Sequence, residues 1–164
     1  LVTGHEFKRG AARVLDARTM FFFLSGVVTP AMAIKMVGVG SQYAGGFMDA
    51  NGEYLDGGKS YRLHLPPNPP ANRFWSVTLY DLQTRSMLQT DNPFPSVSSQ
   101  TGTVEPNPDG SYDIHFGPKV PPGKENNWLQ TIPGKGWCTL LRLYGPLEPW
   151  FEKTWRPGEI EEVQ

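Results

Sequence analysis

The stretch FWSVTLYD, Phe74 to Asp81, decides the fold. Trp75, Val77 and Leu79 fall on one side of an extended chain, and Phe74, Ser76, Thr78 and Tyr80 fall on the other. Alternation of this kind marks a strand with one face in a core. The chain then changes character abruptly: YDLQTRSMLQTDNPFPS, Tyr80 to Ser96, is dense in Asp, Gln, Thr, Arg and Asn. Such a segment is either a ligand-facing loop at a sheet end or a hydrogen-bonded corner that shapes the fold.

Working outward, the period of two continues. SYRLHLP sets Tyr61, Leu63 and Leu65 against Arg62 and His64. YDIHFG points Tyr112, Ile114 and Phe116 inward, and WLQTIP and WCTLLRLYG read as two further strands. Asn51-Gly52 and Asp109-Gly110 are hairpin signals, because both residues of each pair tolerate positive φ. PPNPP, Pro66 to Pro70, cannot sit in a ladder and must connect two strands. EPWFEKTW, Glu148 to Trp155, reads as one or two helical turns that close the domain. Roughly eight short strands predict a mainly β, antiparallel sandwich of jelly-roll type.

Composition agrees. Of 164 residues, 18 are Gly and 16 are Pro, a load that suits turns between short strands better than helix interiors. The length suggests one domain of about 100–200 residues. A net charge of −1 gives no basic footprint for nucleic acid and no polybasic membrane patch. The single cysteine, Cys138, excludes an internal disulfide framework.

The N-terminal part reads differently. Phe7, Ala11, Val14, Leu15, Phe21 and Phe22 make one apolar stripe, which predicts a helix over residues 6–24 ending near Gly26 and Pro30. TPAMAIKMVGVG, Thr29 to Gly40, fits a short helix or a strand. The division expected is a helical segment over 1–39 and a β-sandwich over 40–164. Leu1 is not an initiator Met, so a processed or truncated chain is expected, and no signal-peptide pattern opens it. The most apolar run, Met20 to Val28, has nine residues, against the roughly 20 of a membrane span.

Several long motifs carry a resemblance. They are GSQY (Gly40 to Tyr43), LDGGKSYRLHLPPNPPANRFWSVTLYDLQTRSMLQTDNPFPS, NPDGSYDIHFGP, GKENNWLQTIPGKGW and LRLYGPLEPWFEKTWRPGEIE. Together they resemble the C-terminal module of the bacterial paired domains of unknown function 1254 and 1214. The resemblance implies a jelly-roll-like β-sandwich, normally preceded by a β-rich 1254-type domain, in proteins exported to the periplasm or beyond. It implies no reaction and carries over no catalytic residue.

Chemistry-bearing motifs are few. No G-x-S-x-G elbow and no G-x-G-x-x-G occur. GPKVPPGK, Gly117 to Lys124, has one residue too many for a phosphate loop, and Glu125 stands where Ser or Thr should bind magnesium. His64 and His115 sit at outward phases of their strands; with Asp81 or Asp113 they would suit zinc or iron, although two exposed strand histidines explain them as well. Asp49, Asn51, Glu53 and Asp56 offer oxygen ligands for calcium, but a hairpin turn explains the same run. Cys138 has no neighbouring base in sequence and reads as a packed strand residue. Of five Trp, Trp128 comes after a polar loop and is the candidate for stacking a ligand ring.

At the corner after the central strand, Asp81 and Arg85 are spaced for an ion pair across a turn, and Gln83, Thr84 and Thr90 can satisfy turn amides. The functional alternative has Arg85 grip an anionic ligand, with Gln83 and Gln89 adding hydrogen bonds. The ligand-binding candidates are thus Arg85, Asp81, Gln83, Trp128 and His64, and the metal candidates are His64, His115 and Asp81. Three functions stay open. The one favoured is a non-catalytic module of an exported cell-envelope protein that binds a small ligand, a carbohydrate or a partner domain, with no cofactor. A metal-assisted hydrolase or oxidoreductase using His64, His115 and Asp81 would need a divalent ion. A truncated structural module would associate with a missing 1254-type domain or with copies of itself.

Overall fold

The computed structural model describes residues 2–3 and 35–163, and the helix expected over residues 6–24 lies outside them. FWSVTLYD is the centre of the molecule. It forms most of strand β4 (Ala71–Asp81), which pairs antiparallel with β8 (Trp137–Pro146) over nearly its whole length. On the far side of β8 lie β2 (Ser41–Gly46) and then the short β1 (Val2–Thr3). On the far side of β4 lies β5 (Ser96–Ser98). The five-stranded sheet runs β1-β2-β8-β4-β5, antiparallel throughout.

The second sheet runs β7-β6-β3-β9, from β3 (Ser60–Leu65), β6 (Tyr112–Gly117), β7 (Trp128–Gln130) and β9 (Ile160–Val163). Here the all-antiparallel expectation is corrected: β6 and β7 are parallel, with His115 opposite Trp128. A loop and a 3-10 turn (Glu125–Asn127) bring the chain back to the start of β7. The strand orders give two sheets around one core; they do not support jelly-roll connectivity as such.

That core is the alternation made solid. Trp75, Val77, Leu79, Leu141 and Leu143 from one sheet meet Leu63, Leu65, Ile114 and Phe116 from the other, all buried. Each such side chain contributes about 1.5–3 kcal/mol by leaving water. Trp137 is fully buried between Phe116, at 4.9 Å between ring centroids, and Tyr61, at 5.7 Å and edge-on. Trp75 meets Tyr112 edge-on at 5.0 Å. Aromatic pairs in these geometries add about 0.5–1.5 kcal/mol beyond area burial.

The connections obey their turn residues. Gly52 takes φ +83 in a hairpin turn where the Asp49 amide donates to the Glu53 carbonyl. Gly110 takes φ +82, but only the strand after it, β6, is regular. Pro66 to Pro70 carries the chain from β3 in one sheet to β4 in the other, and the Trp155 indole N–H donates to the carbonyls of Pro66 and Pro67. The expected closing turn is α1 (Glu148–Phe151), with Trp150 and Phe151 buried. Three strands add to those the sequence predicts: β1, β5 and β9 have two, three and four residues. β9 is an acidic edge strand, and Glu161 and Glu162 meet Arg62 and Lys59 at 2.7 and 2.8 Å. Charges on an exposed edge also discourage pairing with other chains.

Candidate functional site

The outward face of the five-stranded sheet holds a concave groove of about 350 Å³. That is at the small end of ligand sites, about 300–1,000 Å³. Ladder register assembles its floor. Tyr43, Arg142, Ser76 and Ser98 form one row across β2, β8, β4 and β5. Gly45, Leu140, Thr78 and Ser96 form the next, and Tyr144 and Phe74 lie on the other side of the first. The hollow lies over Ser76 and Thr78 of β4 and Ser96 and Ser98 of β5, hydroxyls with little bulk, and rings from Tyr43, Phe74, Tyr80 and Tyr144 stand around it.

Those rings are stacked in sequence. Phe74 lies on Tyr144 at 3.9 Å with planes 21° apart. The Arg142 guanidinium carbon is 4.1 Å from the Tyr144 centroid and 5.0 Å from that of Tyr43. A cation over an aromatic face is attracted by about 0.5–1 kcal/mol, and more when desolvated. Arg142 forms no ion pair or hydrogen bond with a described residue, and its Nε is buried and unpaired. Among the described residues no carboxylate lines the groove. Burial raises the Tyr80 phenol above its ordinary value, and Arg142 opposes that rise. On the rim stand Met87 and Phe94, 51 % and 74 % exposed.

The polar corner after β4 has a different use. Asp81 faces inward, and its Oδ1 accepts the Gln83 and Thr84 amides at 2.7 and 3.1 Å. Its Oδ2 meets Lys135 Nζ at 3.2 Å, so the ion pair expected with Arg85 is made by Lys135 instead. The Thr84 and Gln83 amides, then Lys135, hold the Asp81 carboxyl below the usual range. Arg85 takes φ +63, a left-handed conformation, and stays exposed, as does Gln83. Both oxygens of Asp81 are therefore occupied in shaping the turn.

The remaining candidates lie on the opposite side of the molecule. His64 and His115 face outward from the four-stranded sheet, His64 opposite Asp113 and His115 opposite Arg62. His64 Nδ1 is 2.8 Å from Asp113 Oδ1, and Asn107 donates to Asp113 Oδ2 at 3.1 Å. Burial works to raise the Asp113 carboxyl, but the bonds from His64 and Asn107 outweigh it and hold the group low. Burial, then Lys124, pushes the His115 imidazole down. Asp81 belongs to the other sheet and faces the core, so the trio His64, His115 and Asp81 is not brought together. Among the described residues no three His, Cys, Asp or Glu side chains are grouped to hold a metal ion. Asp49 accepts the Asn51 and Glu53 amides, and Asp56 the Gly58 amide. Trp128 is half-buried beside His115, and its N–H donates to the Gly117 carbonyl at 3.1 Å. Cys138 is buried, and its thiol is pushed up to about 11 by that burial.

A hollow on one sheet face, with the ring-stacked Arg142 in it, makes this a β-rich domain with a ligand-sized groove. The chain belongs to the DUF1214 family, proteins of unknown function, whose profile matches residues 40–148. No curated protein matches the chain. In structure it is similar to a protein of Vibrio parahaemolyticus, with a TM-score of 0.69 and 23 % identity over all of this chain. It is also similar to an uncharacterised protein of Burkholderia cenocepacia, with a TM-score of 0.47 and 20 % identity over 80 % of this chain and 32 % of that one. The chain spans 40 % of the length of the Vibrio protein. The first likeness supports the two-sheet fold. Among the described residues no helix is long and apolar enough to cross a membrane.

Proposed function

We propose that this domain is a small-ligand-binding module whose ligand lies in the Arg142 groove and not at the Asp81 corner. The carrying observation is the stack of Phe74, Tyr144, Arg142 and Tyr43 beside the short hydroxyls of Ser76, Thr78, Ser96 and Ser98 on one sheet face. A guanidinium already held by two rings loses little freedom on binding, and the outer rings of the stack, Phe74 and Tyr43, offer a flat surface to a planar or ring-shaped ligand. The exposed Met87 and Phe94 supply apolar cover at one rim. Asp81 has no such freedom, since the turn amides and Lys135 take both of its oxygens.

The domain is further read as the C-terminal module of a longer protein, placed after a 1254-type domain and exported to the periplasm or beyond. Supporting this are the motif resemblance and the fact that the Vibrio relative is more than twice as long as this chain. Fractionation of the cells that make the full-length protein tests export, and recovery wholly in the cytoplasm would reject it.

The binding reading is tested by amide chemical-shift mapping against a library of small ring compounds. Shifts are expected along residues 74–80 and 138–144. Shifts confined to the His64–Trp128 face would move the site there, and the absence of any shift on either face would reject the module as a binder of such compounds.

A further inference from the structure

The ligand's charge can be read from the same groove, and this step rests on the binding reading above. We infer that the groove takes a planar monocarboxylate with an apolar, preferably aromatic, body. Among the described residues, the groove's lining holds one formal charge, Arg142, and no carboxylate to neutralise it. Arg142 is half-buried, and a cation partly withdrawn from water is favoured by an anionic partner. Arg142 Nε is buried without a partner, so the described residues do not supply the compensation.

The guanidinium is also held in place. Tyr144 at 4.1 Å and Tyr43 at 5.0 Å restrict where it can move, and Phe74 backs Tyr144 at 3.9 Å. A guanidinium is a planar fork that matches the two oxygens of a carboxylate. One fork suits one negative charge; a phosphate dianion would call for further cations, and among the described residues none lines the groove. Opposite the rings, Thr78 and Ser96 bond to each other through their hydroxyls at 2.9 Å, which leaves lone pairs and a proton for a polar ring substituent. The body of the ligand then lies over Ser76, Thr78 and Ser96, against the exposed Phe94 and Met87 at the rim.

Calorimetry and amide chemical-shift mapping on the full chain test this with four probes at millimolar concentration. They are cinnamate, its neutral isostere cinnamamide, cyclohexanecarboxylate and phenyl phosphate. Cinnamate is expected to shift groove amides and to bind at least about tenfold more tightly than cinnamamide, the difference that a charge-assisted bond carries. Arg142→Met should erase that difference while Arg142→Lys restores part of it. Unchanged far-ultraviolet circular dichroism shows that both variants are folded. Equal binding of cinnamate and cinnamamide in the groove overturns the charge assignment and leaves the binding reading standing. Tighter binding of phenyl phosphate overturns the monocarboxylate, and equal binding of cyclohexanecarboxylate overturns the aromatic preference. If no probe shifts the groove, both this inference and the groove as a site fall together.

Discussion

Arg142 and Tyr144, two residues apart on β8, present a guanidinium and a ring on the same sheet face, 4.1 Å from cation to ring centroid. Removing the cation has two opposing effects on stability. The contacts with Tyr144 and Tyr43 are worth about 0.5–1 kcal/mol each. Against that, Arg142→Met keeps the apolar stem and deletes a buried, unpaired Nε. The net change in unfolding free energy is expected within about 1 kcal/mol by urea titration. A loss above about 3 kcal/mol would show that Arg142 is a structural strut and would weaken its assignment to a ligand.

Legibility in the sequence divides along what is local and what is not. The alternation in Phe74 to Asp81 places Phe74, Ser76, Thr78 and Tyr80 away from the core with no knowledge of pairing. It cannot place Tyr43 and Arg142 beside Ser76, because they arrive on β2 and β8 and ladder register is not a local property. Short edge strands such as Ser96–Ser98 carry too few residues to show a period. The parallel β6–β7 pair has no long helical crossover to announce it. At the corner, Asp81 and Arg85 have suitable spacing, yet the backbone turns left-handed at Arg85 and a lysine 54 residues away takes the carboxylate. That partner has no signal within the turn itself.

The corner makes a contrast between neighbours. Asp81→Ala leaves the Gln83 and Thr84 amides and Lys135 without their acceptor. A cost of about 1–3 kcal/mol is expected. Arg85→Ala removes an exposed side chain that pairs with no carboxylate among the described residues, and should stay within about 0.5 kcal/mol. The Asp81 carboxyl is held below its unfolded value, so its contribution is present above the unfolded pKa, about 3.9, and fades as pH falls through the lower folded value. Thermal unfolding of both variants checks the pair; equal losses would reinstate Arg85 in the turn.

His115 makes the opposite pH signature. Its folded pKa lies below 6.5, chiefly from burial, with Lys124 and Arg62 adding to the depression and Asp113 opposing it. As pH falls below about 6.5 the unfolded chain takes up the proton first, so the native state loses stability until pH passes the folded value. His115→Gln should therefore flatten the stability curve between about pH 7 and about pH 5 relative to the parent. Chemical denaturation across that range is the measurement. Parallel curves would mean that His115 titrates as it does in the unfolded chain.

Trp137 offers a test of the core that separates ring from hydrogen bond. Its indole sits between Tyr61 and Phe116, fully buried, and its Nε1 has no partner among the described residues. Trp137→Ala empties the space between the two sheets and should cost about 3–5 kcal/mol. Trp137→Phe keeps a ring against both neighbours and removes a buried donor that was itself unfavourable by about 1–3 kcal/mol. The phenylalanine variant is expected to lose about 2 kcal/mol or less, since the smaller ring's cavity and the removed donor act in opposite directions. Urea unfolding tracked by circular dichroism reads both, and four other tryptophans remain for a fluorescence check. If Phe and Ala cost the same, the indole N–H is holding a buried water or carbonyl, and the seal between the sheets is partly polar.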